Sequence, residues 1–211
     1  MKGLIICGGR IENPQYLKRY IKDIDIVICA DKGGLYAKKM GILPHLLLGD
    51  MDSIPQDILD EYKREDVDME VFPSEKDMTD SEIAIWRAVA LGCTDLVIMG
   101  AVGSRIDHSI ANVYILKKLL DRGIKATIVN ENNEVVLIKD KIEIAKEDGY
   151  HLSLIPITKK VTGITTKGLK YSLNNGELEL GKSLGVSNEF EQDIAQITIK
   201  NGLLLVIKSK D

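Results

Sequence analysis

The sequence predicts an α/β domain over residues 1–131 and a small all-β domain over residues 132–211. Two patterns carry that expectation. In the first part, short apolar runs alternate with amphipathic stretches of helical period. In the second, the apolar runs shorten, alternate with polar residues and are divided by turn signals. Strand–helix alternation calls for a mostly parallel sheet with helices on both faces, and hairpin-spaced strands call for a sandwich or barrel-like domain.

In order along the chain, strands are expected at residues 3–7, 24–30, 45–49, 69–72, 96–100 and 125–130. Helices are expected between them, at 33–40, 55–64, 79–91 and 107–122. Ile83, Ala84, Trp86, Arg87 and Ala90 recur at the spacing of a helix with one buried face. After Asn130-Glu131-Asn132-Asn133 the expected strands are 135–138, 142–144, 151–156, 162–165, 177–180, 194–199 and 203–207. Glu147-Asp148-Gly149, Asn174-Asn175-Gly176 and Asn201-Gly202 are the turns that separate them.

Composition narrows the function classes. A net charge of −4, no basic block and 5% aromatic residues give no reason to expect nucleic acid as a partner. No apolar run reaches membrane-spanning length, and the N-terminal run ending at Cys7 is too short for a signal peptide. Cys7, Cys29 and Cys93 lack metal-ligand spacing and fit reduced structural thiols of a cytoplasmic protein.

The acidic residues say more. Asp31 follows the second expected strand, Asp50 and Asp52 the third, Asp77 and Asp80 the fourth, and Asp107 the fifth across a Gly-rich loop. In an open parallel sheet ligands collect at the carboxyl ends of strands, so one rim would gather up to six carboxylates. Like charges that close repel and raise one another's pKa unless a cation is present. Mg²⁺, which takes one or two carboxylates plus phosphate oxygens and water, relieves the repulsion. Gly49 and Gly103 remove bulk at the same edge. Helix capping competes with function for Asp77, Thr79 and Asp107, since each precedes an expected helix. Lys76 and Arg105 lie in the same loops and suit phosphate oxygens, and His108 suits either a carboxylate or a phosphate. Gly8-Gly9-Arg10 is neither a dinucleotide fingerprint nor a Walker-type loop. The pattern as a whole points to magnesium-dependent phosphoryl-group transfer from a nucleotide.

Several ordered segments resemble the motifs of the thiamine pyrophosphokinase family. They are Cys29-Ala30-Asp31-Lys32-Gly33-Gly34, Gly41-Ile42-Leu43-Pro44-His45, Gly49-Asp50-Met51-Asp52-Ser53, the stretch from Phe72 to Asp80, and the stretch from Gly103 to Asn112. Lys167-Gly168-Leu169-Lys170-Tyr171-Ser172-Leu173 and Val186-Ser187-Asn188-Glu189 continue the likeness into the second domain. The resemblance implies transfer of the pyrophosphoryl group of ATP to the hydroxyl of thiamine, giving thiamine diphosphate and AMP. It implies Asp50, Asp52 and Asp80 as Mg²⁺ and triphosphate ligands with Asp107 in support, and Lys76, Thr79, Arg105 and His108 at the phosphates. Asp31, Tyr171, Ser187 and Asn188 would face thiamine. It further implies a homodimer in which the β domain of one subunit closes over the nucleotide domain of the other.

Two positions depart from the family pattern. Tyr171 stands where many relatives carry Trp, and Gly185 stands where relatives often carry a hydroxyl residue. Three other functions use part of the same residue set: a pyrophosphokinase for another alcohol such as a hydroxymethylpterin, a Mg²⁺-dependent nucleotide polyphosphate hydrolase, and a non-catalytic nucleotide or thiamine sensor.

Overall fold

A computed structural model describes residues 1–73, 75 and 77–211. The chain divides into two compact units, Met1–Glu131 and Asn132–Asp211.

The first unit holds β1 (Lys2–Ile6), α1 (Pro14–Leu17) and a 3₁₀ turn (Lys18–Tyr20), then β2 (Ile26–Ala30), α2 (Gly33–Met40), β3 (Leu46–Gly49) and α3 (Gln56–Arg64). It continues with β4 (Asp68–Val71), α4 (Asp80–Ala90), β5 (Asp95–Met99), α5 (Ile106–Asp121) and β6 (Lys125–Val129). The strands lie in the order β4-β3-β2-β1-β5-β6, and each neighbouring pair is parallel. Along β1, Leu4 and Ile6 belong to a core cluster with Leu17, Tyr36, Met40, Leu59 and Tyr62 of α1 to α3. Ile5, between them, is equally buried, as are Ala84, Ile85 and Ala88 of α4 and Ile115, Leu116 and Leu119 of α5. Strand side chains alternate faces, so helices cover both.

α1 and its 3₁₀ turn have no counterpart in the sequence reading. Four residues are too few to show a 3.6-residue period; Asn13 caps the turn by accepting from the Tyr16 N–H, and Pro14 sits at its first position. The other helices start and end within one or two residues of their expected limits.

The second unit contains β7 (Asn133–Ile138), β8 (Lys141–Ala145), β9 (His151–Pro156), β10 (Lys160–Lys167), β11 (Gly176–Glu179), β12 (Ile194–Thr198) and β13 (Leu204–Ser209). Antiparallel pairing gives β7-β13-β9 and β11-β10-β12-β8. Leu152 and Leu154 of β9 and Leu204 and Val206 of β13 share a cluster with Val161, Ile164, Ala195 and Ile197 of β10 and β12. Alternate residues from both sheets therefore face one core, as a sandwich requires.

Strand order positions the site. From β4 to β1 the sheet runs backwards along the chain, and beyond β1 it runs forwards through β5 and β6. Strand order reverses between β1 and β5, so the loops leaving their carboxyl ends diverge and leave a crevice. Past the strands the two chains stay close: the Gly9 N–H donates to the Gly100 carbonyl at 3.0 Å. Gly100 has φ +66°, and a Cβ there would overlap the Cys7 carbonyl.

Gly41, which ends α2 at φ +68°, has open space where a Cβ would go. Gly41→Ala is thus expected to cost only the left-handed backbone term, about 1 kcal/mol. Gly100→Ala carries the same term plus a backbone overlap, for a total of roughly 2–4 kcal/mol. Urea unfolding of the two variants measures the difference; equal losses would show that the loops do not need this approach.

Candidate active site

The crevice at the reversal is a cleft of about 670 Å³. Its walls come from beyond the carboxyl ends of five strands, β1 to β5. The β1 loop gives Gly8 to Arg10, β2 gives Asp31 and Lys32, and β3 gives Asp50, Asp52 and Ser53; Asp77 to Ser81 and the β5 loop through Arg105 complete it. Of the six carboxylates expected at one rim, Asp31, Asp50, Asp52, Asp77 and Asp80 line the cleft. Asp107 stands one step back, fully exposed on the first turn of α5.

The β3 loop is built to present its acids. Gly49 leaves the strand at φ +131°, and a Cβ there would overlap the Asp31 carboxylate, so only glycine lets the two chains meet. Met51 takes the left-handed conformation, φ +63°, with its side chain against the core cluster while Asp50 and Asp52 on either side line the cleft. The Asp52 N–H donates to Asp50 Oδ1 at 3.2 Å. A hydrogen bond to the Asp50 carboxyl, and then the like charge there, raise the Asp52 pKa above its ordinary value. Gly103 meets only ordinary contacts around its missing side chain and is not placed there by crowding.

Thr79 caps α4 by accepting the Glu82 N–H at 3.2 Å and also lines the cleft, so the capping and site readings coincide in one residue. Asp80 follows at the first position of α4; its Oδ1, like Oδ1 of Asp31, is buried. Lys76 lies outside the described residues. Asp107 caps nothing: the cap position of α5 is Arg105, without a side-chain bond. Asp107 instead receives a forked ion pair from the Arg105 guanidinium, at 2.7 and 3.3 Å. That pair, aided by the His108 N–H, holds the Asp107 carboxyl down at about 2. Arg105 and His108 both line the cleft.

Two residues that the sequence reading did not single out hold this loop. The Asn112 side-chain amide, buried on α5, donates to the Ala101 carbonyl at 2.7 Å. Ser109 Oγ accepts the Gly103 N–H at 3.0 Å and donates to the Arg105 carbonyl at 2.9 Å. A serine four residues after Arg105 and an asparagine three further on fall on one helix face, a spacing that carries the signal in the sequence.

In the second unit Tyr171 and Ser187 are exposed, and Asn188 is half-buried. Tyr171 is therefore not a core aromatic of the sandwich. Ser187 has φ +58°, and its N–H donates to Oγ of the buried Ser153 at 3.0 Å. Gly185 gives its carbonyl to the Leu154 N–H at 2.8 Å.

Among the described residues no group of three acidic, His or Cys side chains already converges as a metal cage. Mg²⁺ does not need one, because it usually keeps water and substrate oxygens beside one or two carboxylates. The Asp50–Asp52 pair, close enough that a hydrogen bond and then like charge raise Asp52, fits such an ion, with Asp80 lining the same cleft.

A family profile described as thiamin pyrophosphokinase, catalytic domain, matches residues 17–128, and one described as thiamin pyrophosphokinase, vitamin B1 binding domain, matches residues 139–204. The thiamine pyrophosphokinase of Bacillus subtilis is 29% identical over 209 residues, 98% of each chain. The thiamine pyrophosphokinase 2 of Arabidopsis thaliana is 29% identical over 79% of this chain and 66% of its own. The crystal structure of the Bacillus subtilis enzyme covers all of both chains at a TM-score of 0.91 and 28% identity. That of the Geobacillus thermodenitrificans enzyme covers 100% of this chain and 98% of its own at 0.85 and 31%.

Replacing Asp50 by Asn removes the like charge beside Asp52, so the Asp52 carboxyl is expected to titrate at lower pH in Asp50→Asn than in the parent. Side-chain carbon NMR across an acid titration reads this directly. Arg105→Ala should move Asp107 the other way, up from about 2. The native pair at Asp107 stabilises the fold above its unfolded pKa, and that contribution fades as pH falls toward 2.

Proposed function

The chain belongs to the thiamine pyrophosphokinase family, and on that premise we propose that the cleft at the β1/β5 reversal transfers the pyrophosphoryl group of ATP to the hydroxyl of thiamine. The observation that carries this reading is the meeting of five carboxylates from three successive strand-end loops in one cleft, in a chain that matches both family domains in order.

Asp50, Asp52 and Asp80 hold Mg²⁺ with the triphosphate, and Asp107 supports them by fixing Arg105. Held there, Mg²⁺ would supply positive charge against that building on the phosphate oxygens. Thr79, Arg105, His108 and Lys76 bind the phosphates. The first unit serves as the nucleotide-binding domain and the second as the thiamine-binding and dimerisation domain. The thiamine hydroxyl oxygen attacks the β-phosphorus in line. The new O–P bond forms as the bridge to the α-phosphate breaks, and its electron pair leaves with AMP. Positioning and fixed charge supply most of the acceleration.

The hydroxyl proton passes to Asp80, which lines the cleft, rather than to Asp107, both of whose carboxyl oxygens accept from the Arg105 guanidinium. Asp31 and Tyr171, with the Ser187–Asn188 loop beside it, border thiamine.

A homodimer completes the site. Ile106, Ile110 and Tyr114 form an exposed apolar stripe along α5, and Tyr171, Leu184 and Val186 are exposed on the β unit. A second copy covers such surfaces. A cytoplasmic location fits the thiols: all three cysteines are free and buried, and burial pushes Cys7 up to about 11. No helix among the described residues is long and apolar enough to cross a membrane.

Incubation with Mg-ATP and thiamine, followed by mass detection, should show thiamine diphosphate and AMP in equal amounts. AMP and free pyrophosphate formed without thiamine would favour a hydrolase instead. Chelation of divalent ions should stop the reaction and added Mg²⁺ restore it. Asp52→Asn is expected to lower kcat by roughly 10²–10³-fold, the usual loss for one charge-stabilising group, with the far-UV spectrum unchanged. Asp80→Asn should lower kcat more than Asp107→Asn; the reverse order would reassign the base.

A further inference from the structure

Asn188 has little left to offer a substrate. Its Oδ1 accepts the Tyr171 N–H at 3.0 Å and the Glu189 N–H at 2.9 Å, and its Nδ2 donates to the Tyr171 carbonyl at 2.8 Å. An amide oxygen has two lone pairs, so its acceptor capacity is filled. The two bonds to Tyr171 copy the donor–acceptor pair of an antiparallel strand partner, but one member is a side chain.

The main chain of Asn188 is fixed in turn. Its N–H and carbonyl exchange bonds with Leu152 of β9, both at 2.9 Å, and Leu152 is fully buried. Ser187 before it is held by Ser153 of the same strand. The backbone of Tyr171 is thus tied through one amide to a core strand, while its own residue is 62% exposed. Lys170 adds a second tie: its N–H donates to the Glu189 carbonyl at 3.0 Å. Its ammonium pairs with Glu189 at 2.9 Å and lies 5.5 Å from the centre of the Tyr171 ring. An exposed aromatic on so constrained a backbone is preorganised for contact, because little ordering entropy remains to be lost on binding.

We propose that Asn188 is a positioning residue for thiamine recognition, acting through Tyr171 by clamping that residue's backbone and making no contact with the substrate itself. This rests on the reading above that Tyr171 borders thiamine. It separates two neighbouring residues of the site by role: Tyr171 touches the substrate, and Asn188 sets where Tyr171 stands.

A double-mutant cycle tests it, with Tyr171→Ala, Asn188→Ala and the double variant assayed for thiamine diphosphate formation. Asn188→Ala is expected to raise KM for thiamine roughly tenfold, the scale of one or two lost hydrogen bonds, with KM for ATP and kcat changed less than about twofold. In the Tyr171→Ala background the same substitution should raise it no further. Asn188→Asp keeps the acceptor and loses the donor, so it should fall between parent and Asn188→Ala; it also serves if the alanine variant does not fold. Amide hydrogen exchange at Tyr171 should quicken in Asn188→Ala with global unfolding unchanged, which a purely global loss of stability would not produce. Additive effects in the cycle would overturn the proposal by showing that Asn188 contributes independently of Tyr171. A raised KM in Asn188→Ala with a silent Tyr171→Ala would overturn it too. If both single variants are silent, the assignment of Tyr171 fails and this proposal with it, while AMP release by the parent enzyme leaves the pyrophosphokinase reading standing.

Discussion

Carboxylates crowded at the ends of neighbouring parallel strands repel one another, and the rest of the first unit is arranged around that repulsion. Strand order reverses between β1 and β5, which opens the only kind of crevice an open parallel sheet offers at its carboxyl edge. Asp31, Asp50, Asp52, Asp77 and Asp80 line it. Nothing in local folding favours that concentration of negative charge. The β3 loop shows what it costs, with a left-handed Met51 and a raised Asp52. On the proposed reading, a cation and a polyphosphate would relieve that repulsion.

The β5 loop adds a guanidinium to the same cleft. Arg105 comes from the loop after β5, and Asp107, two residues on, orients its guanidinium through a forked ion pair. Asn112 and Ser109 hold the loop to α5 from below. Loop and helix are therefore braced against each other by uncharged side chains.

The β unit solves a different problem. Its sandwich core is made mostly of alternating aliphatic residues from two sheets, and buried Ser153 fixes the loop that carries Ser187. Left-handed Ser187, bonded to Ser153, turns the chain so that Asn188 meets both β9 and Tyr171. Trp at position 171 would offer a larger stacking surface than Tyr. The clamp works on backbone atoms and is indifferent to which aromatic it holds.

The amino-acid sequence alone determined the fold class, all six strands of the first unit and its four longer helices, because each depends on a local period of apolar residues. Strand ends also marked Asp31, Asp50, Asp52 and Asp80, since the position of an acid just past an apolar run survives whatever the sheet order is. It could not show α1, which is shorter than a helical period needs. Nor did it separate Asp107 from the other acids, because its distance from the cleft and its bond to Arg105 depend on where β5 and α5 lie. The brace from Asn112 to Ala101 and the clamp of Asn188 on Tyr171 were decided only by tertiary structure. Each is a relation between groups brought within about 3 Å by packing, and hydrogen bonds and charge effects act over that distance in space, not along the chain.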